Sequence, residues 1–208
     1  MPKNPYRPYM PDPDFIELLG DYSGNDVNGL GESEIRPPRM VWWAPDMGSA
    51  VFGEAQKWFY GHERPDEEMN ALRASRRTAV EAPLPAVAEQ IVKRSPEAWT
   101  AALQSFVEAG DCEMTGVAHL KPEWVFDQEE VELPNVVVLG VKHDYEELKH
   151  VPAIRGGKDV TRQYVRAAEA SKKVAAWLRE QGYHADAVTG PMTGKILMIP
   201  PALECGFG

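Results

Sequence analysis

Tyr164, His143, Asp144, His150, Lys195, Cys112 and Cys205 are the residues through which this 208-residue chain can do chemistry. Tyr164 carries a phenol that can hand a proton to an atom gaining negative charge, provided the helix around it aims the ring at a substrate. Its other reading is a core tyrosine whose hydroxyl finds a backbone partner. His143, Asp144 and His150 follow an apolar run, where α/β proteins often place ligand groups. Lys195, next to Gly194 and an apolar stretch, can steer an anion or remain a solvated surface cation. Tyr183 follows Gly182 and reads as the apolar contact behind a helix-ending turn. His62 reads as a surface histidine in the charged loop GHERPDEE. Arg155-Gly156-Gly157-Lys158 lacks the glycine spacing of a phosphate cradle. Cys112 and Cys205 form no metal-ligand spacing and are too few to complete the thiolate set of an iron–sulfur cluster, so they read as unpaired, mostly buried thiols.

The element that must position Tyr164 is TRQYVRAAEASKKVAAWLREQG, Thr161 to Gly182. Tyr164, Ala167, Ala168, Ser171, Val174, Ala175 and Leu178 recur at three- and four-residue steps and define the apolar face of a helix roughly 30 Å long. Thr161 is the expected N-cap and Gly182 the left-handed terminator. On this reading Tyr164 points inward.

Around that helix the chain alternates helix and strand signals. Residues 1–50 are rich in proline, glycine and aspartate, and their aromatics, Trp42, Trp43 and the tyrosines, suit a segment draped over a core. Residues 50–78 read as helical. Ala86–Lys93 is expected to be a short helix. Ser95-Pro96-Glu97 is a helix start, with Trp99, Leu103, Phe106 and Val107 on the inner face and Gly110 at the end. Met114–His119 reads as a strand. Val136–Val141, apolar and β-branched, reads as a central strand buried on both faces. HDYEELKHVPAIRGGK reads as a loop, and His184–Val188 and Ile196–Ile199 as short extended pieces. PPALECGFG reads as a glycine turn with no closing element, so a complete domain is expected to continue past Gly208.

The net charge of -10 argues against a general nucleic-acid or anionic-membrane binder. No apolar run approaches the ~20 residues of a membrane helix. MPKNPYRPYMPDPDF lacks an apolar signal core, so a cytoplasmic protein is expected.

Several segments match one family in order and at consistent spacing. EAGDCEMTGVAHLKPEWVF has the family's helix end, acidic turn, strand and D-x-x-W-V-Y-like sequence. NVVVLGVKHDYEEL has its central strand and following loop. YVRAAEASKKVAAWLREQGYHA has its long helix with the glycine-tyrosine-x-alanine ending, and IPPALECGFG approaches its A-G-L-G turn. From about Ser95 to Gly208 the chain resembles the cobamide-dependent reductive dehalogenases, and more distantly the epoxyqueuosine reductases. It departs at Cys205, which replaces an alanine, and at Gly190-Pro191, where the family has an asparagine.

The resemblance implies an α/β (α+β layered) fold. An incomplete nitroreductase-like cobamide-binding core over residues 95–208 would follow a Pro-rich, partly helical extension over residues 1–94. It implies a chain that covers a cobamide (cobalamin), with Tyr164 as proton donor for reductive cleavage of a small organohalide. Lys195, toward the corrin propionamides, and His143 are the cofactor-binding candidates. The loop lacks the Asp-x-His-x-x-Gly arrangement by which histidine ligates cobalt, and no residue here is assigned to a metal. The 4Fe-4S clusters would be carried by a second chain or a missing C-terminal part. Two other readings stand beside it: a non-catalytic interaction subunit that keeps the half-domain, and a flavin-binding nitroreductase-like protein.

Overall fold

The computed structural model describes residues 13–18, 33–42, 46, 48–61, 66–107, 111–190 and 194–207. The chain divides into two compact units, Met1–Arg64 and Pro65–Gly208. Among the described residues of the first, α1 (Pro13–Glu17) and α2 (Gly53–Gly61) are helices. The Phe52 N–H donates to the Val41 carbonyl at 2.8 Å, and the Trp42 and Phe52 rings lie 6.0 Å apart. The expectations for Trp43, the tyrosines before it, His62 and Gly110 fall outside the described residues.

The second unit is built around one long helix. Its elements are α3 (Glu67–Glu81), α4 (Pro96–Val107), β1 (Met114–His119), a 3-10 turn (Pro122–Trp124), β2 (Asn135–Gly140), α5 (Tyr145–Leu148), α6 (Ile154–Glu180) and α7 (Ile199–Glu204). The architecture is α+β, as the alternation of signals implies. α6 is 27 residues long, about 40 Å at the helical rise. It starts seven residues before Thr161, which lies inside it and donates to the Gly157 carbonyl at 3.0 Å. The glycine pair that suggested a loop is helical because Gly156 must lack a side chain. A Cβ there would stand 2.6 Å from the Val151 side chain, which folds back over the first turn. At the other end Gly182 has a φ of +87°, and the N–H groups of Gly182 and Tyr183 reach the carbonyls of Arg179 and Leu178, the expected left-handed cap.

α3 runs beside α6 in the same direction. Asp66 caps α3 by accepting from the Met69 N–H at 2.9 Å. Lys158 pairs with Glu68 at 2.7 Å and with Asp66 at 3.1 Å, and Lys172 reaches the Ala82 carbonyl further along. Residues 82–95 form no helix, contrary to the expectation for Ala86–Lys93. Their N–H groups turn instead to the orphan carbonyls at the end of α6, Ala88 to Arg179 and Val92 to Gln181, both at 2.9 Å.

α4 begins as its signal requires, with the Ser95 hydroxyl accepting from the Ala98 N–H at 3.2 Å. Leu103, Val107 and Val174 form the apolar core, with Phe106, Cys112, Val137, Leu139, Trp177 and Leu178 packed against it. Phe106 stacks on Trp177 at 4.9 Å, and Trp99 meets Trp177 and Tyr183 edge-on.

β1 and β2 pair antiparallel from Met114↔Gly140 to His119↔Asn135. Among the described residues the sheet has two strands, and Val136–Gly140 are half-buried, so β2 is not a central strand buried on both faces. Val137 and Leu139 face the helices. The opposite face carries Gly116 and Gly140, and the chain end packs onto them. A Cβ at Gly116 would lie 2.5 Å from Cys205 Cβ, and one at Gly140 would lie 3.1 Å from the Phe207 ring. IPPALECGFG is therefore a helix and cap rather than an open turn. Pro200 and Pro201 suit a first helical turn, and the Phe207 N–H reaches the Ala202 carbonyl at 2.9 Å. Of the two expected extended pieces, His184–Val188 forms no strand, and Ile196 makes only a single bridge to Val125.

Candidate functional site

A buried, hydrogen-bonded polar group lies where β2 runs out toward α5. Asp159, in the second turn of α6, is fully buried. Its Oδ1 accepts from the Gln163 amide at 2.9 Å, and its Oδ2 lies 2.9 Å from His143 Nδ1. Arg166 then donates to Gln163 Oε1 and to Glu113 Oε1, both at 2.8 Å. Glu113 Oε2 accepts from the Lys142 N–H at 2.8 Å. The chain of bonds thus starts and ends on the same segment, residues 142–143, and ties it to α6.

The direction of every bond follows from what each group can do. Arginine only donates, so the oxygen of Gln163 faces Arg166 and its nitrogen faces Asp159. Burial pushes the Asp159 carboxyl up, but the bonds from Gln163, His143 and the Asp144 N–H outweigh it and hold the group below the usual range. An ionised carboxylate only accepts, so His143 presents Nδ1–H to it and turns Nε2 away from the carboxylate. Glu113 is likewise held low, first by the Arg166 bond and then by the Lys142 N–H.

Glu113, Lys142, His143, Gln163 and Arg166, but not the covered Asp159, line an open depression of about 470 Å³, together with Asp144, Tyr145 and Glu146. Asp144 is committed to α5, whose Glu146 N–H it accepts at 2.8 Å. His150 closes the end of α5 through its backbone and does not line the depression.

The other candidates lie elsewhere. Tyr164 is 40% exposed, so it does not point inward. At about 100° per residue, Gln163 lies within about 20° of Val174 around the helix, whereas Tyr164 is turned about 80° away. The Arg76 guanidinium of α3 stands 5.7 Å from the centre of its ring. Arg76 Nε is buried with no hydrogen-bond partner among the described residues. Lys195 is 57% exposed, near Glu129 Oε2 at 3.4 Å and the Glu130 carbonyl at 3.3 Å.

The cysteines line a second depression, also about 470 Å³, with Met114, Thr115 and Phe207 among its walls. Both thiols are free, and burial pushes both up, away from the thiolate form. Among the described residues, no three His, Cys, Asp or Glu side chains gather as a metal site, and no helix is long and apolar enough to cross a membrane.

The position after the apolar run singled out His143, but nothing in the sequence reading singled out Asp159, Gln163, Arg166 or Glu113. The signal was present: stepping back from Val174 along the inward line of α6 reaches Ala170, then Gln163 and Asp159. Two polar side chains on a core-facing line call for a partner.

This arrangement sits in a chain that is related, over half its length, to the reductive dehalogenases. It is 31% identical over 106 residues to a tetrachloroethene reductive dehalogenase of Dehalobacter restrictus, and 30% identical over 106 residues to one of Desulfitobacterium hafniense. Each match covers 51% of this chain and 18% of the relative. No family model matches the chain.

Proposed function

We propose that this chain is part of a cytoplasmic, cobamide-dependent oxidoreductase of the reductive dehalogenase type. It covers the cobamide, and Tyr164 supplies the proton when a carbon–halogen bond of a small organohalide is cleaved reductively. The observation that carries this reading is the relationship to tetrachloroethene reductive dehalogenases. In the net reaction the carbon–halogen bond takes up two electrons, halide leaves and a proton replaces it. The cobamide supplies the reducing cobalt.

The chain's own contribution is local. The exposed ring of Tyr164 on α6 can reach a bound molecule, and its hydroxyl holds the proton. The Arg76 guanidinium, 5.7 Å from the centre of the ring, supports this role as a cation that offsets the charge of the phenolate left behind. Lys195 and His143 are the groups proposed to meet the cofactor's polar side chains. Cys112 and Cys205 do not fit an iron–sulfur cluster, since two thiols are too few for its thiolate set and burial disfavours their thiolates. In this reading a partner chain, or chain beyond the sequence described, carries the clusters.

The test is Tyr164→Phe in the complete enzyme. The substitution keeps the ring on Arg76 and removes the proton. Turnover should fall by roughly 10²–10⁴-fold, with cobamide binding and melting temperature nearly unchanged. Turnover near the wild-type rate would end the assignment.

A second reading, a non-catalytic interaction subunit, is favoured by the exposed Met198, Ile199 and Leu203 on and beside α7. The absorption spectrum of the purified protein separates the two, because bound corrin supports the first and a colourless protein in a stable hetero-complex the second.

A further inference from the structure

We propose that His143 and Asp159 form an acid–base couple, a proton-transfer site distinct from Tyr164, at which Nε2 of His143 takes a proton from the O–H of water or a small hydroxylated molecule seated in the depression at the end of β2. Three observations carry it. The first is the wholly buried carboxylate of Asp159, 2.9 Å from His143 Nδ1. A buried carboxylate behind an imidazole fixes its tautomer and stabilises the imidazolium formed when Nε2 gains a proton.

The second is the fixed direction of the network. Arg166 forces Gln163 to donate to Asp159, which leaves Oδ2 for the ring, and Glu113 anchors both Arg166 and the Lys142 N–H. Gln163, Arg166 and Glu113 are thereby engaged in holding the histidine.

The third is access. The His143 side chain is 41% exposed although its partner is completely covered, and it lines an open depression with Lys142 and Tyr145. A merely structural histidine needs the buried contact but not the open side. Lys142, in the same lining, supplies a cation for negative charge that develops on a molecule attacked there. Tyr164 is not part of this lining, and the couple assigns His143 to proton transfer in place of the cofactor contact given to it above.

The experiment uses the full chain. Long-range ¹H–¹⁵N spectra at neutral pH should show His143 with hydrogen on Nδ1 and a bare Nε2. Water activation is read with 4-nitrophenyl acetate. Water oxygen bonds to the ester carbonyl carbon while Nε2 takes its proton, 4-nitrophenolate leaves with the bonding pair and receives that proton, and acetic acid is the second product. His143→Gln should lower protein-catalysed hydrolysis by about 10²-fold or more, the range for a lost general base. His150→Gln should leave it unchanged. Asp159→Asn should populate the Nε2–H tautomer and slow hydrolysis, with circular dichroism reporting whether it folds. If it does not fold, the wild-type tautomer and His143→Gln decide the matter alone. An Nε2–H tautomer in the wild type, or hydrolysis indifferent to His143→Gln, overturns the proposal.

Discussion

The two halves of α6 are buried by opposite means. From Ala168 to Leu178 the helix is covered by apolar packing, with Val174 against Leu103 and Val107 and the Trp177 ring against Phe106. From Gly156 to Gln163 it is covered by polar groups, with Asp159 and Gln163 buried in mutual hydrogen bonds and Lys158 and Arg162 paired to α3. The apolar half tolerates change in shape but not in charge, because dispersion and water exclusion have no direction. The polar half is the reverse. Its bonds are directional and its partners specific, so losing one member strands the others. A helix that needs only support can use the first means throughout. The second fixes one histidine in one orientation.

The largest expected effect breaks the apolar half. Val174→Asp places an unpaired carboxylate among Leu103, Val107 and Leu178. The cost should exceed about 4 kcal/mol, enough to abolish cooperative unfolding in most small domains. A calorimetric transition within a few degrees of wild type would show that this half is not the core described.

Asp159→Ala should come next, at about 2–4 kcal/mol, because it leaves the Gln163 amide and the His143 ring without their acceptor. The measurement is a urea midpoint at constant m-value. A pH series sharpens the comparison. The folded-state pKa of Asp159 lies below its unfolded value, taken as 3.8. Its contribution to stability is thus fully present above that value and lost as pH falls below it toward the folded pKa. Glu113 adds the same sign, starting from 4.5. Asp159→Asn should flatten this acid limb, whereas substitutions in the apolar half shift the whole curve and leave its slope unchanged.

The same division explains what was readable in advance. The apolar half of α6, the Ser95 cap of α4, both strands and the Gly182 terminator announce themselves by periodicity or by residues with few alternative uses. The first turns of α6 did not, because Gly156 and Gly157 signal a loop and only the fold-back of Val151 makes the glycine useful inside a helix. α7 was hidden for a related reason: two prolines and two glycines look like a turn until Cys205 and Phe207 are seen covering Gly116 and Gly140. At the site, His143 was visible as a chemical type, but its meaning depends on Asp159, sixteen residues later and on another element. The inward turn of Tyr164 failed because the apolar stripe was extended in a straight line past Ala168, where the buried face of α6 passes to Gln163 instead.

The smallest effect is expected at Lys173, which lies along the apolar half but on its exposed side. Its Nζ lies 2.6 Å from Asp111 Oδ2 and 5.4 Å from the centre of the Phe106 ring. The lysine is 45% exposed, so water and salt screen the pair, and holding a long side chain in place offsets part of the attraction. Lys173→Ala should therefore cost no more than about 1 kcal/mol, and Lys173→Met less, since its chain can still cover Phe106. The difference from wild type should shrink as salt is raised toward 1 M, where the screening length falls to about 3 Å. A loss as large as that of Asp159→Ala, insensitive to salt, would mean that the ion pair is part of the buried polar network. The boundary between the two halves of α6 would then have to move toward the C-terminus.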